Sequence, residues 1–189
     1  MESTSEQAPD GQYTWESGPS NPPRLSDGPG TYVEIEITAS PEQLWPIITD
    51  LNMPAKFSSE FRGARWAEGS SQPAIGASFI GSNVHAAIGE WDVPCFVHRF
   101  DNQREFGWVT SDAAYPGAQW CFTLAPNGSV TRLRYSLVLG PGPSGLTPAI
   151  QRMPEKEPRI LSRRLDEHRG NMRLVVEGIK ADAESANSH

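Results

Sequence analysis

Six consecutive strand-like segments, with no helical segment between them, constrain this chain more than any other feature. They run from Phe61 to Ala67, Ala77 to Val84, Trp91 to Phe100, Glu105 to Thr110, Ala118 to Leu124 and Val130 to Leu139. The last two meet at Pro126-Asn127-Gly128, a strong hairpin turn. A seventh strand precedes them. In TYVEIEI, from Thr31, Val33, Ile35 and Ile37 share one face while Glu34 and Glu36 take the other, the alternation of a half-buried strand. Strands that follow one another without crossover helices pair antiparallel, and seven of them must curl to enclose a core.

Two helical regions flank the run. Ser40-Pro41-Glu42-Gln43 is a helix start, with a Ser cap, Pro at the first helical position and Gln three residues after the cap. Leu44, Ile47, Ile48 and Leu51 form its apolar stripe, and Pro46 inside it predicts a kink or a split. A second short helical turn is expected around Asn52 to Phe57. GPGPSGLTPAIQRMP, from Gly140, reads as a loop. From Glu155 to about Glu184 one long helix is predicted, roughly 45 Å if straight. Leu161, Leu165, His168, Met172, Val175, Val176 and Ile179 make its apolar stripe, while seven acids balance seven bases on its solvated faces. The predicted class is α+β: a curved antiparallel sheet of about seven strands around a long C-terminal helix, with two short helices after the first strand. One helix cannot fill such a curve, so a cavity between sheet and helix is expected.

Residues 1–29 differ in kind. Five prolines and five acids stand against one base, Arg24. Such a segment cannot bury enough apolar surface to offset its ordering entropy, so a disordered tail is expected. The folded domain is placed at 30–184, with 185–189 a second tail. The net charge of −7 and the pI near 5.1 exclude the basic face that nucleic acid or an anionic membrane surface requires. No apolar run approaches the roughly 20 residues of a membrane span, and MESTSEQAPDGQ is no secretory signal, so a cytoplasmic protein without integral membrane association is expected.

The run VEIEITASPEQLWPIITDL resembles the opening of the START-like superfamily, the SRPBCC or polyketide cyclase/dehydrase and lipid-transport group. There a first strand ends in a small residue, followed by Pro-Glu, a Trp on the first helix and Asp-Leu. Gly76-x-x-Phe79-x-Gly81-x-Asn83, followed by Trp91, is similar to actinobacterial members. Pro46 and the Pro-rich loop at 140–158 depart from the pattern. The resemblance covers roughly residues 31–184. It implies a helix-grip fold and a hydrophobic pocket for a lipid, polyketide or aromatic ligand.

Alternation then nominates the pocket. Phe79, Gly81, Asn83 and His85 share a face, as do Trp91, Val93, Cys95 and Val97; Phe106 with Trp108, Trp120 with Phe122, and Leu133, Tyr135 and Leu137 complete the set. The expected ligand-binding residues are Phe79, Asn83, His85, Trp91, Phe106, Trp108, Trp120, Tyr135 and Met172. His85 and His168 are the candidate acid–base groups. Cys95 and Cys121 read as buried small hydrophobes. No metal-ligand spacing occurs, and no cofactor is expected. Gly140-Pro-Gly142-Pro-Ser-Gly145 matches G-x-G-x-x-G, but its prolines lack the N–H groups a pyrophosphate would need. Three functions fit: a binder or carrier of a small hydrophobic molecule, a cyclase, aromatase or dehydratase acting on a polyketide-like substrate, or a non-catalytic interaction module.

Overall fold

The computed structural model describes residues 23–186. Seven strands form one sheet: β1 (Gly30–Ile37), β2 (Phe61–Trp66), β3 (Ser78–His85), β4 (Gly89–Asp101), β5 (Glu105–Thr110), β6 (Ala118–Asn127) and β7 (Val130–Leu139). Their order is β1-β7-β6-β5-β4-β3-β2, every neighbour antiparallel. The two edge strands are therefore adjacent in sequence. The chain between them carries α1 (Pro41–Ile48) and a short 3-10 turn, Met53–Lys56. Bulges between Phe61 and Gly63 and between Val97 and Arg99 add local bend and twist.

The cap read from the sequence is present in full: Ser40 Oγ accepts from the Gln43 N–H, and the Gln43 side chain accepts from the Ser40 N–H. Pro46 does not split the helix, which continues to Ile48 and ends there. Removing one hydrogen bond from so short a helix is offset by Leu44 and Ile48, both fully buried.

The long helix α3 runs Glu157–Ala186 and lays Leu161, Met172, Val175, Val176, Ile179 and Ala183 against the sheet. It passes the chain near Phe57 so closely that a Cβ on Gly178 would stand 2.4 Å from that ring. Its C-terminal half is tied to β1: Lys180 Nζ donates to the Glu36 carbonyl at 2.6 Å, and Glu184 accepts from the Thr38 N–H at 2.9 Å.

Three expectations change. The loop after β7 contains a further helix, α2 (Thr147–Arg152), and a 3-10 turn at Pro154–Lys156. Pro148 and Pro154 stand in first turns, where no N–H is missed, so these prolines start helix instead of preventing it. The expected N-terminal tail is shorter on its described side. Leu25–Asp27 forms a 3-10 turn, the Leu25 N–H donates to buried Glu157 at 2.8 Å, and Arg24 lies 3.5 Å from the same carboxylate. The rest of that expectation, residues 1–22, lies outside the described residues. Likewise α3 continues through Ala186, beyond the predicted end at 184, and 187–189 lie outside the description.

Candidate functional site

Strand register decides which side chains meet. Phe106 pairs with Phe122 and Trp108 with Trp120 across β5 and β6; Phe122 then pairs with Tyr135 across β6 and β7. On β3 and β4, Phe79 opposes Cys95 and Gly81 opposes Val93. The result is a wall of rings on the concave face. Trp108 lies at its centre, with the centroids of Phe79, Phe106, Trp120, Phe122 and Tyr135 all within 6.4 Å. Trp108 and Trp120 are nearly parallel at 11°, and Phe122 stacks on Tyr135 at 4.0 Å.

Between this wall and α3 lies an inner chamber of about 110 Å³. An apolar cavity of roughly 150 Å³ takes up benzene, so the inner chamber suits about one six-membered ring. Beside it is an outer chamber of about 610 Å³, bordered by Ile88, Trp91, Pro94, Leu139 and the Gly/Pro loop through Leu146. That volume is in the range of small-molecule sites. Glu60, Asn83, Val93, Thr110, Trp120 and His168 line both chambers and form the waist between them. On its β5 side, β4 has no ladder partner from Gly89 to Pro94, beside the outer chamber. Thr110 is the last residue of β5, and beyond it Ser111 donates to the Pro94 carbonyl. Proline, lacking an N–H, is tolerated in β4 because its ladder partner strand ends here.

Polar groups are few. Burial holds the Tyr135 phenol well above its ordinary pKa, with the nearby thiols Cys95 and Cys121 adding to it, so it stays neutral. The His168 ring meets Trp120 edge-on at 5.2 Å. Burial, then the neighbouring Arg164 and His85, pushes its pKa well below 6.5. Asn83 Nδ2 donates to the Gly81 carbonyl at 3.4 Å. Arg164 grips Glu60 through both terminal nitrogens, one at 2.8 Å, and its Nη1 also lies 3.3 Å from Glu167. Burial pushes the Cys95 thiol up to about 12, and Cys121 likewise, which leaves neither nucleophilic near neutrality. Among the described residues no three His, Cys, Asp or Glu side chains are grouped as a metal would require.

The depressed His168 pKa has a consequence for stability. In the unfolded chain this imidazole takes up a proton near pH 6.5; in the fold it does not. Between those pKa values the unfolded state binds more protons, so stability falls as pH is lowered through 6.5. Thermal melts from pH 8 to 5.5 are expected to show this loss, and His168→Gln is expected to lessen it. An identical pH profile in the variant would contradict the neutral, buried ring.

Phe79, Asn83, Phe106, Trp108, Trp120, Tyr135, Met172 and His168 all border the inner chamber. Two expected residues do not. Trp91 borders only the outer chamber, and His85 borders neither. His85 stands at the closing pair of the β3–β4 hairpin, where Nδ1 accepts from the Ala87 N–H at 3.2 Å and Nε2 lies 3.6 Å from Glu167. Alternation gives the face of a strand but not how far along it the cavity extends. Sequence reading missed Glu60 and Arg164. Arg164 carried a signal: it falls on the 161-164-168-172 spacing of the apolar stripe, where a charge is out of place. Glu60, just before a strand, carried none.

The sequence profile of the family described as polyketide cyclase / dehydrase and lipid transport matches residues 30–168. No curated protein matches the sequence. A polyketide cyclase-like protein from Corynebacterium glutamicum is similar in structure, with TM-score 0.60 and 22% identity over 89% of this chain and 98% of that one. The di-domain aromatase/cyclase StfQ of the steffimycin biosynthetic pathway has TM-score 0.63 and 8% identity over 85% of this chain and 52% of its own. A START superfamily protein from Mycobacterium smegmatis has TM-score 0.53 and 13% identity, covering 83% and 98%. These likenesses establish the shared fold, and among the described residues no helix is long and apolar enough to cross a membrane. With a curved seven-stranded sheet closed on one long helix, and a family profile spanning most of its length, the chain belongs to the polyketide cyclase/dehydrase and lipid-transport family of START-like proteins.

Proposed function

We propose that this protein binds a small, flat, largely apolar molecule between the sheet and α3, and that it does so as a binder or carrier without chemical turnover. The observation that supports this reading is the aromatic wall around Trp108, facing a chamber whose ionisable groups are held neutral or already engaged with other groups of the protein. One ring of the ligand fits the inner chamber, and the remainder extends through the waist into the outer one. Asn83 and Tyr135 orient it by hydrogen bonds. Cys95 takes no part beyond packing.

Gly81 offers the test that least disturbs the fold. It borders the inner chamber, and a Cβ there would meet Phe61, Val93 and Cys95 at ordinary contact distances of 3.4 to 3.7 Å. The further methyls of valine then occupy ligand space. Naphthalene is expected to bind the native chain and quench its tryptophan fluorescence saturably. Gly81→Val is expected to weaken that binding by tenfold or more while melting cooperatively. Absence of naphthalene binding, or equal binding by the variant, would overturn the reading.

A second reading, an enzyme of the cyclase or dehydratase kind, draws on His168. Its neutral imidazole borders the waist with no hydrogen bond to another described residue, the state a general base requires. Turnover of a polyketide-like substrate that vanishes in His168→Ala while binding persists would favour it.

A further inference from the structure

The waist also bears on which ligands fit, given the binding reading above. Glu60 lines it and faces Arg164, which borders the outer chamber; their side chains are only 12% and 10% exposed. Arg164 spends Nη1 on Glu60 and Glu167 and Nη2 on Glu60, so its Nη1–Nη2 edge is taken and its one positive charge already faces two carboxylates. Glu60 is different. A carboxylate has about four acceptor positions, and Arg164 occupies one on each oxygen, leaving acceptor capacity on a residue that lines both chambers. Asn83 adds to this: one hydrogen of its amide donates to the Gly81 carbonyl, and Oδ1, an acceptor, has no partner among the described residues.

The charges agree. The acids lining the two chambers are Asp50, Glu60 and Asp92, against the single base Arg164. His168 contributes no charge. Asp92 is held by Ser82 and by Arg65 at 2.9 Å, and Asp50 caps the Asn52 N–H. An anion entering the waist loses hydration beside Glu60, where the one cation already faces two carboxylates. An ammonium fares little better, because Glu60 is already neutralised by Arg164. A hydroxyl loses little and supplies a donor to Glu60 or to Asn83 Oδ1.

We propose that Glu60 is a specificity-determining residue: with Asn83 it makes the site select uncharged ligands that bring a hydroxyl to the waist, and reject carboxylates of the same skeleton. A hydrogen bond to a charged acceptor is worth about a tenfold gain in affinity or more.

Three probes of one skeleton test this on the intact chain: naphthalene, naphthol and naphthoate, titrated near neutral pH. Naphthol is expected to bind about tenfold more tightly than naphthalene, and naphthoate at least tenfold more weakly than naphthalene. Naphthoate equal to or tighter than naphthol would overturn the proposal, as would naphthol no tighter than naphthalene. If none of the three binds, it is the binding reading itself that fails. Glu60→Gln separates Glu60 from its surroundings: it removes the negative charge and frees the Arg164 cation, so naphthoate is expected to gain tenfold or more relative to naphthol. An unchanged ratio in the folded variant would remove Glu60 from the role. The native ranking stands as a test without that variant.

Discussion

Trp108→Ala is expected to weaken naphthalene binding by about 30-fold. The indole is the centre of the ring wall, in contact range of five other rings and bordering the inner chamber. Its removal strips the ligand of one face. Burial of apolar surface is worth roughly 25 cal/mol per Å², so losing most of one aromatic contact costs about 2 kcal/mol. Part of the wall collapses too, because Phe79 and Trp120 lose the surface they lean on. Trp108→Phe keeps a ring at the same place and is expected to lose no more than a few-fold. Titration of all three proteins with naphthalene decides the matter. Equal affinity across them would place the ligand elsewhere.

Arg164→Met is expected to destabilise the fold by about 3–5 kcal/mol. Removing the guanidinium leaves Glu60 ionised in a place where its side chain is 12% exposed. The pair bridges α3 to the start of β2, so the cost falls on the contact that closes the sheet's edge over the helix. For a chain of this size each kcal/mol lowers the melting temperature by roughly 2–4 °C, which makes a drop of about 10 °C. Combining Arg164→Met with Glu60→Leu is expected to recover most of the loss, because two apolar side chains of similar volume need no charge compensation. A full double-mutant cycle measures the coupling. A single-variant loss below about 1 kcal/mol would show the pair to be solvated.

The architecture was legible because the strands alternate cleanly. Glu34 and Glu36 on β1 are more exposed than Val33 and Ile37, and the inward residues of β7, Leu133, Tyr135 and Leu137, are buried as alternation requires. The site was legible in its rings for the same reason. What alternation does not carry is depth. Trp91 and Asn83 are directly paired, yet only Asn83 reaches the inner chamber. His85, in the closing pair of the hairpin, turns to Glu167 on α3 instead. Glu60 was illegible because its meaning depends on a partner 104 residues away. Such pairs are set by how the helix crosses the sheet, which no local pattern encodes. The loop after β7 misled for a local reason: its prolines sit where helices begin, and composition alone does not separate that use from a turn.

The proposed ligand space lies between the ring wall and α3. Intermolecular nuclear Overhauser effects from bound naphthalene test it most directly, because they fade within a few ångströms. Cross-peaks are expected to the Met172 methyl and to the rings of Trp108 and Trp120, which face the same chamber from helix and sheet. Cross-peaks confined to exposed residues such as Ile75, Tyr115 or Leu174, with none to Met172, would contradict it.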